Sequence, residues 1–129
     1  MSIFSKIISK EIPAAIVAED DDFIAFLDIA PLVRGHVLVV PKIEVDRMFD
    51  VSDELLSNML VFAKPIAKAI EQAFYCNRCG IAVVGLEVPH AHMHLVPLQS
   101  ADDLNFTRAK LVVTPAELAE DLEKIKSCL

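Results

Sequence analysis

Pro89-His90-Ala91-His92-Met93-His94-Leu95-Val96-Pro97 is the most informative segment of this chain. It predicts a β-strand from Ala91 to Val96, and three of the chain's four histidines alternate with apolar residues along it. Successive side chains of a strand point to opposite faces, so the three imidazoles are expected on one face, roughly 6.5–7 Å apart. Because three histidines make a poor hydrophobic layer, this row predicts a chemical site.

Two chemistries use such a row of imidazoles. Neutral imidazoles can ligate a catalytic metal ion. Alternatively, one imidazole can act as a nucleophile toward phosphorus while its neighbours orient it. Residues i and i+4 of a flat strand lie ~13 Å apart and cannot share one ion. A three-ligand metal site would therefore need His36 or another strand, and the spacing alone leaves both chemistries open.

The rest of the chain predicts an α+β fold. Four further strands are expected, at residues 15–18, 23–27, 36–40 and 81–84. A long amphipathic helix is predicted from Ser52 to about Phe74, with a kink at Pro65. A C-terminal helix should follow the capping box that begins at Thr114. Because the strands mostly adjoin one another, we expect an antiparallel sheet of about five strands covered by the long helix.

Composition limits the possible functions. The length of 129 residues predicts a single domain, residues 1–129. The net charge of −7, without a basic stripe, argues against nucleic acid as a partner. Three glycines are too few for a Walker loop or a dinucleotide-binding turn. No apolar run approaches the ~20 residues of a membrane span, no secretory signal is visible, and the three cysteines fit reduced thiols, so a cytoplasmic protein is expected.

The sequence resembles the histidine triad (HIT) nucleotide-binding hydrolases. Their signature is three histidines that alternate with apolar residues and end in two apolar residues, and residues 90–96 match it throughout. Three upstream blocks also resemble the family and fall in its order, at residues 3–14, 25–29 and 35–42. The resemblance is strongest to the Hint-like (protein kinase C inhibitor-like) bacterial branch, and it implies the HIT-like fold.

The resemblance also implies an activity. The middle histidine, His92, would attack the α-phosphate of an AMP-X compound, either a nucleoside 5'-phosphoramidate or a dinucleoside polyphosphate. A transient nucleotidyl-histidine would form, which makes the protein a nucleotide hydrolase or nucleotidyl transferase. His94 would contact the phosphate oxygens, while His90 and His36 would hold the tautomers of the row. No cofactor is expected.

The resemblance assigns the nucleoside and the partners as well. Asp28 would accept hydrogen bonds from the ribose hydroxyls. The base, a purine by analogy, would be lined by Phe4, Ile12, Leu27 and Ile29. Several of these apolar residues could equally be ordinary core residues. A homodimer with joined sheets is expected.

Two departures from the family pattern leave alternatives open. Several bacterial members hold zinc through positions that are Ser2, Ser5 and Glu44 here, so no metal is expected at that place. The loop before the histidine row is reduced to Gly85–Pro89 and contains Glu87, whose charge would repel a phosphate. The alternatives are a nucleotide-binding module with little turnover and a histidine-ligated metalloenzyme.

Overall fold

A five-stranded antiparallel sheet carries the histidine row on one of its faces. The computed structural model describes all 129 residues, Met1–Leu129. The strands β1 to β5 are, in chain order, Ile16–Glu19, Phe23–Leu27, Val37–Pro41, Arg78–Ala82 and Met93–Leu98. Their order in the sheet is β1-β2-β3-β5-β4, and every neighbouring pair is antiparallel. The predicted α+β fold with about five strands is confirmed.

The two longer helices begin where their capping residues predict. The helices α1 to α3 are Ile3–Ile8, Asp53–Ala73 and Pro115–Lys126. Ser52 accepts a hydrogen bond from the Leu55 amide at the start of α2, and Thr114 forms a reciprocal capping box at the start of α3. Pro65 lies inside α2 without ending it. None of the helices is long and apolar enough to cross a membrane.

The two faces of the sheet are covered differently. The long helix α2 packs on one face, where Met59, Ile66 and Ile70 are almost fully buried against Met93 and Leu95 of β5. The short helix α1 packs on the opposite face with a smaller apolar cluster, which consists of Phe4, Ile7, Ile24, Phe26, Leu38 and Val40. Because strand side chains alternate, the histidines of the row emerge on the α1 face.

The last strand differs from its predicted bounds. It begins at Met93, because the Ala91 amide donates to the Val45 carbonyl (2.7 Å) instead of joining the ladder. It ends at Leu98 and so includes Pro97. The pairing with β3 ends at Leu95, so the side of β5 that faced β3 needs no amide donor at Pro97. Only His94 of the row is therefore within regular strand structure. β4 also begins earlier, at residue 78, and ends at residue 82.

Candidate functional site

A cleft on the α1 face brings together residues from four parts of the chain. Its volume is about 370 Å³. The floor is formed by His36, His92, His94 and Asp28, the walls by α1, by the loop at residues 84–88 and by residues 106–110. His90 lies beneath this floor, is fully buried and does not line the cleft.

The backbone carbonyl of His90 fixes the tautomer of His92. The Nδ1 atom of His92 lies 2.7 Å from the His90 oxygen. A carbonyl oxygen can only accept a hydrogen bond, so in the neutral ring the proton is on Nδ1 and Nε2 keeps its lone pair. The ring is only 6% exposed, and the Phe4 ring packs edge-on against it with centroids 5.0 Å apart. His92 therefore presents a nucleophilic nitrogen in a fixed orientation.

A chain of hydrogen bonds orders the protons of His36 and His94. The Leu32 amide donates to Nδ1 of His36 (3.1 Å), so the proton of this ring is on Nε2. That Nε2–H donates to Nδ1 of His94 at 2.9 Å, which leaves a proton on the Nε2 atom of His94. His94 can therefore donate a hydrogen bond to an anionic oxygen.

His36 and His94 stay neutral near pH 7. Burial lowers the pKa of His36 to about 3 and the pKa of His94 to about 4. The neighbouring imidazoles and the Lys110 ammonium contribute to both shifts after burial, because a second positive charge nearby disfavours protonation. Unprotonated imidazoles are what both predicted chemistries require.

The glycine before His36 allows the loop to approach α2. Gly35 has a positive φ of 94°, a conformation that favours glycine. A Cβ atom added there would come within 2.7 Å of the Phe74 ring. The turn therefore packs tightly between β2 and β3, and it delivers His36 to the floor of the cleft.

His90 links the histidine row to the N-terminal segment. Its Nε2 donates to the Pro41 carbonyl (2.8 Å), so its Nδ1 accepts from the Ser2 hydroxyl (2.7 Å). The Ser5 hydroxyl donates to Glu44 (2.7 Å), and the Ser2 amide donates to the same carboxylate oxygen. These bonds lower the pKa of Glu44 to about 2, with the Ser2 amide as the main cause. We call Ser2, Ser5, Glu44 and His90 the N-terminal clasp.

The N-terminal clasp does not suit zinc. Structural zinc sites use cysteine sulfur and histidine nitrogen. Here only His90 offers such a ligand, and both of its ring nitrogens are engaged in hydrogen bonds. Serine hydroxyls and one carboxylate make up the rest of the cluster, and they bond to each other and to His90. Hydrogen bonds thus take the place of the metal that the resemblance assigns to other members.

A second group of possible metal ligands lies in the cleft itself. Ligand atoms of Asp28, His36 and His94 all lie within 4.8 Å of one another. A metal on Nε2 of His36 would require that nitrogen to lose its proton and Nδ1 to gain one. The protonated Nδ1 would then face the Leu32 amide, which is also a donor. This conflict argues against a metal ion held by the three residues.

The predicted nucleotide-binding residues divide into two groups. Phe4 and Asp28 line the cleft. Leu27 does not, because strand alternation sends its side chain into the core beneath α2, while its neighbour Phe26 packs on the α1 face; the prediction for Leu27 is corrected on this point. Ile12 packs at the edge of the smaller cluster and Ile29 is 74% exposed, so both lie outside the cleft lining.

Asp28 is held in a partly buried environment. Its Oδ1 accepts a hydrogen bond from the Ala30 amide (2.9 Å), and its Oδ2 lies 3.8 Å from His36 Nε2. Burial raises the pKa of Asp28, an effect that the Ala30 amide and the Lys110 ammonium oppose and the Glu87 carboxylate reinforces. The carboxylate therefore has acceptor capacity for a hydroxyl donor in the cleft.

Sequence reasoning missed the wall that follows β5. Phe106 packs against His94 with ring centroids 4.6 Å apart, and Thr107 and Lys110 line the same cleft. This segment follows the short turn Ala101–Leu104 and has no helical or strand periodicity. A single phenylalanine in a polar loop was the one available signal. Leu38 and Ile3 also line the cleft unpredicted.

Comparison with known proteins identifies the family. The HIT domain family model matches residues 9–101. An uncharacterised HIT-like protein of Methanocaldococcus jannaschii is 38% identical, over 98% of this chain and 99% of its own. An adenosine 5'-monophosphoramidase of Schizosaccharomyces pombe is 33% identical, over 97% and 96%. The crystal structure of a Hit-like protein from Bartonella henselae, described as involved in cell-cycle regulation, superposes with a TM-score of 0.85 at 32% identity, over 99% and 96%.

The matches cover nearly the whole chain, and the histidine row matches the family signature. This chain belongs to the HIT domain family.

Proposed function

We propose that this protein is a nucleotide hydrolase, or nucleotidyl transferase, that acts on AMP-X compounds through a covalent nucleotidyl-histidine at His92. The observation that carries the proposal is the 2.7 Å contact between His92 Nδ1 and the His90 carbonyl. It leaves the Nε2 lone pair of His92 free at the floor of a cleft, in a ring that cannot reorient without losing a buried hydrogen bond.

The reaction has two steps. In the first, the Nε2 lone pair of His92 forms a bond to the α-phosphorus, and the bond from phosphorus to X breaks. X leaves with that electron pair and takes a proton from water. In the second, water attacks the phosphorus and loses one proton to the solvent, which replaces the proton taken by X; the N–P bond returns its electron pair to Nε2, and AMP is released. His94 Nε2–H stabilises charge on the phosphate oxygens in both steps.

A purine nucleoside fits the remaining features of the cleft. Asp28 supplies an acceptor for ribose hydroxyls, and the aromatic and aliphatic side chains of Phe4 and Leu38 supply an apolar wall for a base. The S. pombe relative is named an adenosine 5'-monophosphoramidase, which favours adenine and a phosphoramidate as substrate. Ile12 and Ile29 remain proposed base contacts on the strength of the family resemblance.

Activity measurements test the proposal directly. Incubation with adenosine 5'-phosphoramidate, or with diadenosine polyphosphate, is expected to release AMP. The variant His92→Ala should lower kcat by roughly a thousandfold or more. Acid quenching during turnover, followed by mass spectrometry, should find AMP attached to the peptide that contains His92. Lys126→Gln, an exposed change in α3 outside the cleft, serves as control. Undiminished AMP release by His92→Ala would exclude the nucleophile.

A nucleotide-binding module with little turnover is the second candidate. It is favoured by Glu87, an exposed carboxylate in the loop that forms one wall of the cleft. A negative charge there opposes the charge that builds up on the phosphate during reaction. This candidate predicts AMP binding by calorimetry without product from any AMP-X compound. If this candidate is right, Glu87→Gln should raise turnover above that of the parent chain. If the parent chain is already an active hydrolase, the same change should raise turnover little.

We also propose that the protein forms a homodimer through β4. This strand is at one edge of the sheet, and its outer backbone groups have no partner strand. Beside it, Leu60, Val61 and Ile81 are about half exposed or more and border an apolar groove of about 410 Å³. An apolar patch next to an open sheet edge is typical of a protein interface.

Size-exclusion chromatography with light scattering tests the dimer. The parent chain should elute as a dimer, and Ile81→Lys should shift it to a monomer because a charge in the centre of an apolar interface is costly. Val112→Lys changes a residue that is 96% exposed and should leave the dimer intact. A monomeric parent chain would contradict the proposal.

The setting of the protein belongs to the same proposal. We propose that residues 1–129 act as one HIT domain in the cytoplasm, without nucleic acid as a partner. All three cysteines are free, as expected in a reducing compartment. The net charge of −7 opposes binding to a polyanion.

A further inference from the structure

Lys110 is the one lysine or arginine that lines the cleft. It comes from the segment that follows β5 and the short turn Ala101–Leu104. The other charged residues in the lining are the carboxylates Asp28 and Glu87. Lys110 forms no salt bridge with either of them or with any other acidic residue. The cleft therefore holds an ammonium group without an anionic partner.

The position of this ammonium group is fixed by Phe106. Lys110 Nζ donates to the Phe106 carbonyl at 3.1 Å and lies 5.3 Å from the centroid of the Phe106 ring. The same ring packs against His94 with centroids 4.6 Å apart and against His36 with centroids 6.4 Å apart. Phe106 thus connects the ammonium group to the histidine that faces an incoming phosphate. Because the side chain of Lys110 is half-buried, it loses less conformational entropy on binding a ligand than a free surface lysine would lose.

The ammonium group keeps donors for a ligand. An ammonium group has three N–H donors, and the Phe106 carbonyl uses one of them. The field of Lys110 reaches Asp28, His36 and His94, because it lowers the pKa of each. The charge of Lys110 therefore acts on groups at the floor of the cleft, where it would attract a bound anion.

We propose that Lys110 is an anion-binding residue of this cleft that contacts the phosphate part of the nucleotide, beside His94, and selects ligands by their negative charge. The inference rests on the proposed function, since it takes a nucleotide as the occupant of the cleft. The α-phosphate and a further phosphate on the leaving-group side are the two groups that offer this chemistry.

Calorimetric titration with three ligands tests the contact. Adenosine carries no phosphate, AMP carries the α-phosphate, and ADP adds a second phosphate. Lys110→Gln should weaken AMP or ADP binding by roughly three- to tenfold, the range expected for a lost charge-assisted hydrogen bond at a half-exposed site. Adenosine binding should not change. Lys110→Arg keeps the charge and should bind all three ligands within about twofold of the parent chain.

The ligand series separates the two phosphate positions. Weaker binding of both AMP and ADP assigns the contact to the α-phosphate, and weaker binding of ADP alone assigns it to the leaving-group side. Equal weakening of all three ligands, or no weakening of any, would overturn the proposal. Lys126→Gln, in α3, changes the net charge by the same amount at an exposed residue outside the cleft and should leave all three affinities unchanged.

The outcome also separates this inference from the proposed hydrolase activity. AMP binding that depends on Lys110, without release of AMP from adenosine 5'-phosphoramidate, would support the anion contact and contradict catalysis. If the parent chain hydrolyses the phosphoramidate, and Lys110→Gln changes neither the KM nor the ADP affinity, catalysis would be supported and the anion contact contradicted. A parent chain that binds no AMP would contradict both.

Discussion

The individual imidazoles of this protein are defined by their hydrogen-bond partners. His92 donates to a carbonyl and His36 accepts from an amide. His90 donates to a carbonyl through Nε2 and accepts from the Ser2 hydroxyl through Nδ1. Because backbone groups cannot exchange the roles of donor and acceptor, each tautomer follows from the fold. The four rings are between 0% and 8% exposed, and the hydrogen bonds that fix His36, His90 and His92 are buried, so water does not compete for them.

The buried imidazoles make stability depend on pH. The pKa values of His36 and His94 in the folded chain, about 3 and about 4, lie below the value of 6.5 that applies to the unfolded chain. Their contribution to stability is therefore fully present above pH 6.5 and is lost as the pH falls toward 4, because the unfolded chain binds more protons. Urea unfolding should report a loss on the order of 3 kcal/mol between pH 7 and pH 5.

A variant with one imidazole fewer provides the control. His94→Asn removes one of the two groups, so its loss of stability between the same pH values should be about half as large. The raised pKa of Asp28 acts in the opposite direction and reduces the total. A free energy of unfolding that is constant or higher at the lower pH would contradict the assignment of neutral buried histidines.

At the scale of secondary-structure elements, α1 is held to the histidine row by the N-terminal clasp. The Ser2 hydroxyl accepts from the Ser5 amide as the N-cap of α1 and donates to the buried Nδ1 of His90. The following residues of α1 include Phe4, whose ring packs on His92. One serine therefore stabilises a helix terminus, a buried imidazole and an aromatic wall of the cleft.

Removal of that hydroxyl should be costly. Ser2→Ala eliminates the cap and leaves His90 Nδ1 without a donor in the interior, so we expect the free energy of unfolding to fall by about 1–3 kcal/mol. Chemical denaturation measures this loss. Ser9→Ala removes an exposed hydroxyl that bonds only locally, to Lys6 and Glu11, and should cost less than about 0.5 kcal/mol. Equal stability of the two variants would exclude the clasp as a stabilising unit.

The sequence predicted elements better than it predicted side-chain placement. The alternation along residues 90–96 correctly placed the three histidines on the face opposite to the apolar residues that pack under α2. The capping residues correctly located the starts of α2 and α3. The base contact at Leu27 was misplaced because a motif marks a position along the chain but not the face to which its side chain points. Phe106 and Lys110 were missed because a loop without periodicity is positioned only by its tertiary contacts.

On the scale of the whole molecule, α3 is tied to the loop that carries His36. Arg34 donates from Nε and Nη2 to the two carboxylate oxygens of Asp121, at 2.7 and 2.8 Å. Asp121 is 2% exposed, whereas the Arg34 side chain is about one-third exposed and also contacts Glu117. Arg34 is followed by Gly35 and His36, so this pair links the C-terminal helix to the floor of the cleft.

Loss of the buried partner should affect both stability and the site. Asp121→Ala leaves the Arg34 guanidinium without its bidentate acceptor, and we expect a loss of about 1–3 kcal/mol, below the value for a fully buried pair because Arg34 is partly solvated. The Glu120→Ala variant removes an exposed partner 3.8 Å from Arg34 and should change stability by less than about 0.5 kcal/mol. Denaturant midpoints measure both. An Asp121→Ala chain as stable as the parent would show that α3 docks without this pair.

The enclosure of Ser2 has a practical consequence for work with this protein. Its amide and hydroxyl are both engaged, and the residue is 7% exposed, while Met1 immediately before it is 81% exposed. A purification tag or fluorescent label fused ahead of Met1 would emerge beside Glu44 and compete with the contacts that hold His90. Leu129 is 55% exposed and follows α3, so reagents attached there would avoid the floor of the cleft.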